Sequence, residues 1–339
     1  MPPLVYLSAT EMARRIRVGS LSSTSLLEAH LERIAQVNPS INAVVNVDAE
    51  PARKRAEQAD QATARGECWG PLHGVPFTAK DVFQSAGLTT TSIAMRYATH
   101  VPQRDAALVR RLKAAGAILL GKTNLPTASY DWQTNSRLLG RCNNPYELTR
   151  TVGGSSGGSA AALAAGMSPI ELGSDVAGSL RVPAHFCGVA ALRPTEGLLS
   201  LDGHGVLPGR SSRVDHLAVP GPMARSAEDL ELLLPLLLDG EARPLHPLET
   251  KPFPRLRLAW SSSLGGIVPS QPVRTAMARL QCELVAAGAT LLETEPDVGW
   301  AEAQRVWGTI QGHEIISSYP RPLCWWPFRW LLRTGVVEA

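Results

Sequence analysis

Three short stretches combine chemistry-bearing side chains with glycine-rich backbone. The first, GAILLGKT from Gly116 to Thr123, fits the phosphate-loop spacing G-x-x-x-x-G-K-[ST] letter for letter. A phosphate loop needs a glycine-rich turn between strand and helix so that its N–H groups can surround the phosphates, whereas the four inner residues here are themselves an apolar strand. It is therefore not read as a nucleotide site. The second, GGSSG from Gly153 to Gly157, satisfies the G-x-S-x-G nucleophile elbow. An elbow follows a buried strand, but the preceding NNPYELTRT is polar and carries a proline, and Asp215 with His216 are available for a Ser-His-Asp triad only by nomination. Each histidine reads first as a surface or core residue. The third, GSDVAGSLR from Gly173 to Arg181, runs a strand into a small-residue turn, with a helix expected to begin at Ser179. A serine there sets its hydroxyl beside successive backbone N–H groups and the positive end of a helix dipole, which suits an oxyanion. In isolation, an ordinary N-cap serine explains it equally well.

The elements that must position these stretches follow from periodicity and punctuation. Ser8 with Glu11 makes a capping-box pattern, and Ser25 with Glu28 repeats it inside a stronger helix that runs to about Val37 with Leu27, Leu31 and Ile34 on one face. A third helix, from about Ala52 to Arg65, is alanine-rich and charged and stops at Gly66. Two of these three are expected at the periphery. Val75 to Ala79 reads as a short buried strand that delivers Lys80 and Asp81 at its C-terminal end. Taken alone, Lys80 is a solvated surface lysine. Asp105 is expected to cap a helix with Leu108, Val109 and Leu112 inward, Gly116 to stop it, and Ala117 to Leu120 to form the next strand. Residues 151–188 carry the densest glycine and serine usage, which reads as loop, small-residue helix, strand and a second loop opening a helix. Around 239–256, Pro244, Pro247, Pro252 and Pro254 break regular structure and mark a surface connection. Beyond it, Leu256 to Trp260 (strand), Val273 to Ala287 (helix with Met277, Leu280 and Leu284 inward) and Thr290 to Leu292 (strand) make a further β-α-β unit. Alternating helix and strand favour the α/β class.

Composition bounds the function. With 339 residues, 44% of them hydrophobic, the chain holds enough apolar material for a large core, which excludes disorder as its main state. A formal net charge of +3 and no basic run leave no electrostatic footprint for nucleic acid, so partners are small or neutral. Five scattered cysteines (Cys68, Cys142, Cys187, Cys282, Cys324) with no C-x-x-C pair suggest neither a disulfide framework nor a zinc site and favour a reducing compartment. No basic start precedes an apolar stretch at the N-terminus and no run of 18 apolar residues occurs. A cytoplasmic protein without a membrane span is expected.

One long stretch gathers the separate signals. GGSSGGSAAALAAGMSPIELGSDVAGSLRVPAHFCGVAALRP (Gly153 to Pro194) resembles the signature segment of the amidase signature family of serine hydrolases. The likeness extends upstream through GPLHGVPFTAKD (Gly70 to Asp81) and GAILLGKTN, and downstream to GPMARSAEDL (Gly221 to Leu230), covering roughly residues 1–295. The resemblance implies an α/β fold with a mixed twisted β-sheet core flanked by α-helices on both faces. It implies a single amidase domain over 1–339, with N-terminal helices in 1–66, the catalytic core in 70–235, the Pro-rich connection in 239–256 and an incomplete C-terminal part in 257–339. The implied reaction is hydrolysis of a carboxylic amide through an acyl-enzyme, with Ser179 as nucleophile, Ser155 as a bridging serine preceded by a cis peptide bond, and Lys80 as the base. By the same resemblance, Val176, Ala177, Gly178 and Ser179 supply the oxyanion hole, Ser156 is a supporting hydrogen-bonder, and Asp175 with Arg181 form a structural ion pair. A lysine serving as base near neutrality must fall about 3 units from its ordinary ~10.4, some 4 kcal/mol, through burial and positive surroundings. A small-molecule amide substrate is implied, with no metal and no other cofactor; a homodimer is compatible with these features.

Two departures from the family pattern stand out. Ala177 replaces the usual glycine inside the oxyanion loop, and a positive φ there would add strain of about 1–3 kcal/mol and slow the reaction. Family members also normally continue past the point where this sequence stops, and roughly Trp307 to Ala339 has no clear counterpart. Its tail, with Trp325, Trp326, Phe328 and Trp330 beside Arg329 and Arg333, reads as an element lacking the sheet it would pack on, in preference to a membrane-interface or substrate-entrance segment. Two alternatives stand beside the amidase reading. One is the glutamine-hydrolysing subunit of a transfer-RNA amidotransferase, which requires partner chains. The other is a truncated, non-catalytic family member.

Overall fold

Phe77, Ala79, Ile118, Leu120, Ile170 and Leu172 lie on short strands whose residues are buried on both faces, so the sheet they form needs helices above and below it. The computed structural model describes residues 3–92, 97–205, 217–238, 252, 254 and 256–318, and the chain divides into two units, residues 1–242 and 243–339. In the first unit the chain order is α1 (Ala9–Arg17), α2 (Ser23–Ile41), β1 (Val44–Val47), α3 (Ala49–Ala64), β2 (Pro76–Lys80), α4 (Ala107–Ala114), β3 (Ile118–Thr123), β4 (Asn135–Ser136), β5 (Gly140–Arg141), α5 (Gly157–Ala164), β6 (Ile170–Asp175), α6 (Arg181–Cys187), β7 (Ala190–Ala191), β8 (Val219–Ala224) and α7 (Ala227–Leu237). Six strands form one mixed sheet in the order β1-β3-β2-β6-β8-β7, while β4 and β5 make a separate small ribbon. The central β2 runs parallel to β3 and β6, and antiparallel partners close both sides. One face packs on α1, α4 and α7 through Met12, Ile16, Leu108, Leu112, Leu233 and Leu237. The other packs on α2, α3, α5 and α6 through Leu27, Ile34, Ala56, Ala161 and Ala184. This is the α/β architecture that the sequence led us to expect.

Several local expectations change. The second helix begins at Ser23, and the capping serine is Ser22 in place of Ser25: its Oγ accepts the Ser25 N–H at 3.0 Å. None of the three N-terminal helices is peripheral. Met12 and Ile16 of α1 are fully buried, and α3 buries Ala52, Ala56, Ala59 and Ala62, since a stripe of alanines lets a charged helix approach closely. Asp105 does not cap α4. Ala106 holds that position, and the Asp105 carboxylate instead accepts the Ala86 N–H at 2.8 Å and the Lys113 ammonium at 2.9 Å.

In the second unit, β9 (Arg257–Trp260) and β10 (Thr290–Glu293) pair in parallel around α8 (Gln271–Ala286), followed by α9 (Trp300–Ser318). The β-α-β unit is as expected, but α8 buries none of its residues and Leu280 is 49% exposed. A two-stranded sheet of four-residue strands offers too little surface to cover a four-turn helix. No helix among the described residues is long and apolar enough to cross a membrane. Asp215, His216, most of the Pro-rich connection and the Trp325 to Arg333 segment lie outside the described residues.

Candidate active site

Lys80 is the last residue of β2 and is fully buried. Its Nζ lies 2.6 Å from Ser155 Oγ and 3.2 Å from Ser174 Oγ. Burial dominates its titration and takes it from the ordinary 10.5 down to about 7, against the opposing pull of the Asp175 carboxylate. A lysine poised there exchanges its proton at neutral pH.

Ser155 stands in the loop from Gly153 to Ser156 that precedes α5. The Gly154–Ser155 peptide bond is cis, and Gly153 takes a φ of 75°, a conformation that favours glycine. Thr134 Oγ1 donates to the Gly153 carbonyl at 2.7 Å. A side chain on Gly154 would meet the backbone of Asp131, Trp132 and Gln133, and one on Gly158 the backbone of Asn124, so the loop is enclosed by neighbouring main chain. Ser156 links three segments: its N–H donates to the Ser179 carbonyl at 3.1 Å, its hydroxyl donates to the Ser174 carbonyl at 3.2 Å, and its Oγ accepts the Ser174 N–H at 3.3 Å.

Asp175 ends β6 and organises the turn that carries Ser179. Its carboxylate accepts the Gly178 N–H at 2.8 Å, the Leu180 N–H at 3.0 Å, and Arg181 Nε and Nη2 at 3.1 and 2.9 Å, with Arg193 Nε 3.7 Å away. Burial pushes this carboxyl up, but the hydrogen bonds from Arg181, Leu180 and Gly178 together outweigh it and hold it below the ordinary range. The turn curls around a carboxylate, and helix α6 consequently starts at Arg181, two residues later than the sequence suggested. Of the four N–H groups expected in the oxyanion hole, Gly178's is thus already committed to Asp175. Those of Val176, Ala177 and Ser179 have no hydrogen-bond partner among the described residues. The expected strain at Ala177 is absent. Among the described residues only Asn42, Ser92, Ser129 and Leu217 are non-glycine residues with positive φ, and it is Gly178 that takes φ 111°.

Ser179 is buried to 7% exposure, and its hydroxyl makes no hydrogen bond among the described residues. The side-chain link from Ser155 to Ser179 is therefore not closed, and the two loops meet through Ser156 and the Ser179 carbonyl. Lys80, Ser155, Ser156, Asp175 and Arg181 form one connected set with the Ser179 turn.

Four participants escaped the sequence reading. Ser174 is a second oxygen on Lys80, and Thr134 braces the Ser155 loop. Trp132 Nε1 donates to the Ala177 carbonyl at 3.0 Å although the residue is 56% exposed. Glu171, fully buried, receives the hydroxyls of Thr78 and Thr123, and Thr123 in turn meets Ser159 at 2.9 Å. Burial drives Glu171 up to about 8 despite these hydroxyls, so it is a neutral acid at neutral pH. Register alone could have flagged it, since Thr78 pairs with Glu171 across two central strands and Lys80 follows two residues later on the same face. The phosphate-loop lookalike is strand β3 itself, with Lys122 buried 3.8 Å from Asp81 and hydrogen-bonded to Thr90 at 3.1 Å.

The chain is similar to known proteins along most of its length. A family model described as Amidase matches residues 25–303. An acylamidase of Rhodococcus erythropolis is 37% identical over 327 residues, 93% of this chain and 67% of that protein. A glutamyl-tRNA(Gln) amidotransferase subunit of Carboxydothermus hydrogenoformans is 42% identical over 231 residues, 68% of this chain and 46% of that protein. Among solved structures, a fatty acid amide hydrolase superposes with a TM-score of 0.85 at 28% identity, over 99% of this chain and 59% of its own. A 6-aminohexanoate cyclic dimer hydrolase complexed with substrate gives a TM-score of 0.78 at 30% identity, over 98% of this chain and 68% of its own. The chain spans between about half and two thirds of the length of the curated relatives it matches.

Proposed function

The chain belongs to the amidase signature family, and on that premise we propose that it hydrolyses a carboxylic amide through an acyl-enzyme on Ser179. The 2.6 Å contact between a fully buried Lys80 and Ser155 carries this reading. Neutral Lys80 accepts the Ser155 proton while Ser155 accepts that of Ser179, and the Ser179 oxygen attacks the amide carbon. A base titrating near 7 is half unprotonated at working pH and still able to return the proton to the leaving nitrogen. The tetrahedral oxygen is received by the N–H groups of Val176, Ala177 and Ser179, while Gly178 stays on Asp175. Ammonia or an amine leaves with the returned proton. Water then attacks the ester and passes a proton through Ser155 to Lys80; the Ser179 Oγ–acyl bond breaks, the same proton returns through Ser155 to the Ser179 oxygen, and the carboxylic acid leaves. Every residue in this scheme falls within 70–235, which we take as the catalytic core of one amidase domain. We take the setting as cytoplasmic from the scattered cysteine pattern of the sequence, and the substrate as a small-molecule amide.

Ammonia or amine release from a panel of aliphatic and aromatic amides tests the proposal. Turnover of at least one amide, abolished in Ser179→Ala, is expected. Turnover that survives Ser179→Ala, or none from the folded chain, overturns it. The 42% identity to an amidotransferase subunit favours one second reading, a glutaminase component working with partner chains. Copurification of a stable heteromer that hydrolyses glutamine would place that reading first.

A further inference from the structure

The Ala177–Gly178 peptide is held at both of its polar ends. Its carbonyl accepts Trp132 Nε1 at 3.0 Å, and its N–H is donated to Asp175 Oδ1 at 2.8 Å. In a planar trans peptide the two groups point in opposite directions, so fixing both stops the plane from rotating between its Cα atoms. The peptides that carry the Ala177 and Ser179 N–H groups join this fixed plane directly at its two Cα atoms, which narrows their freedom, and neither N–H has a partner among the described residues. Trp132 is itself firmly placed. Its carbonyl carbon would lie 3.0 Å from a Cβ on Gly154, so the backbone of residues 131–133 abuts the loop of Ser155 while the indole reaches the loop of Ser179. Packing does not account for this side chain, because a tryptophan serving the core does not remain 56% exposed.

We propose that Trp132 is a positioning residue for the amide hydrolysis proposed above, on which this inference rests: its indole N–H and the Asp175 carboxylate clamp the Ala177–Gly178 peptide so that the Ala177 and Ser179 N–H groups face the developing oxyanion. Rotation of that peptide would turn its carbonyl toward the Asp175 carboxylate and lose both hydrogen bonds. The clamp acts on the bond-forming step and leaves ground-state binding unchanged.

The test is the kinetics of Ser179 modification by a fluorophosphonate, followed by intact mass over a range of probe concentrations to separate kinact from KI. Trp132→Phe keeps a ring and loses the donor. We expect kinact to fall roughly three- to tenfold, the value of one neutral hydrogen bond, with KI and the melting temperature unchanged. Replacing the Trp132 indole by benzothienylalanine keeps the bicyclic ring and removes only the N–H, and it is expected to match Trp132→Phe. Unchanged kinact in Trp132→Phe, or a wild-type rate with benzothienylalanine, overturns the clamp alone. A folded wild-type chain that takes no adduct overturns the acyl-enzyme reading and the clamp with it.

Discussion

Replacing Lys80 by methionine tests the burial on which the base depends, through stability and without any substrate. Lys80 is fully buried, and its move from 10.5 to about 7 corresponds to about 5 kcal/mol of preference for the neutral amine. Below pH 7 the folded and unfolded chains both carry a protonated Lys80, and the folded state bears the whole cost. Between about 7 and 10.5 the folded chain has released the proton while the unfolded chain retains it, so wild-type stability rises with pH across that window. The cost is about 5 kcal/mol at pH 6 and about 2 kcal/mol at pH 9. Methionine fills a similar volume and does not titrate; losing the contacts to Ser155 and Ser174 adds only a constant. The stability of Lys80→Met relative to wild type should therefore fall by about 3 kcal/mol from pH 6 to pH 9, which is roughly 6–12 °C in melting temperature for a unit of this size. Thermal melts of both proteins at the two pH values decide it. A difference in melting temperature that is independent of pH refutes the argument that Lys80 is held neutral by burial.

Other consequences follow from the same geometry. Glu171 keeps its proton in the folded state up to about 8 against 4.5 unfolded, so its contribution to stability declines as pH rises through that window. Glu171→Gln should thus gain roughly 3 kcal/mol on wild type between pH 5 and pH 8, read from paired melts. Gly178→Ala forces a side chain into φ 111° and 3.0 Å from Val182 Cγ2, which should cost about 1–3 kcal/mol in denaturant unfolding. Ala177→Gly relieves no strain, and its labelling rate with a fluorophosphonate should equal that of wild type. Asp175→Asn removes the buried charge on which Gly178, Leu180 and Arg181 converge, and should lower stability by ~3 kcal/mol in urea titration.

Much of the fold was legible because local signals agreed with the global arrangement. The buried strand ending at Lys80, the stop at Gly116 and the small-residue helix within residues 151–188 each follow from composition and punctuation. Misreadings arose where one polar residue had a competing long-range use. Asp105 suits a helix cap, yet its carboxylate is taken by Ala86 and Lys113, 19 and 8 residues away. Ser179 suits a helix start, but Asp175 draws in the Gly178 and Leu180 N–H groups and delays α6. Leu280 has inward periodicity and no broad surface to meet. In the site, Lys80, Ser155 and Ser179 came to notice through the resemblance of the signature segment to a known family. Trp132 and Thr134 stayed hidden because they lie on a loop without periodicity, and their significance comes only from where the chain folds back.

The central claim is that Lys80, acting through Ser155, activates Ser179. Intact-mass measurement with peptide mapping after exposure to a fluorophosphonate, on wild type, Ser179→Ala and Lys80→Ala across pH 5 to 9, tests it most directly. The account predicts one adduct, on Ser179, forming faster as pH rises through about 7 and levelling above it as Lys80 becomes neutral, and absent or greatly slowed in both variants. An adduct on another residue, or a Ser179 adduct that forms at the same rate in Lys80→Ala, contradicts it.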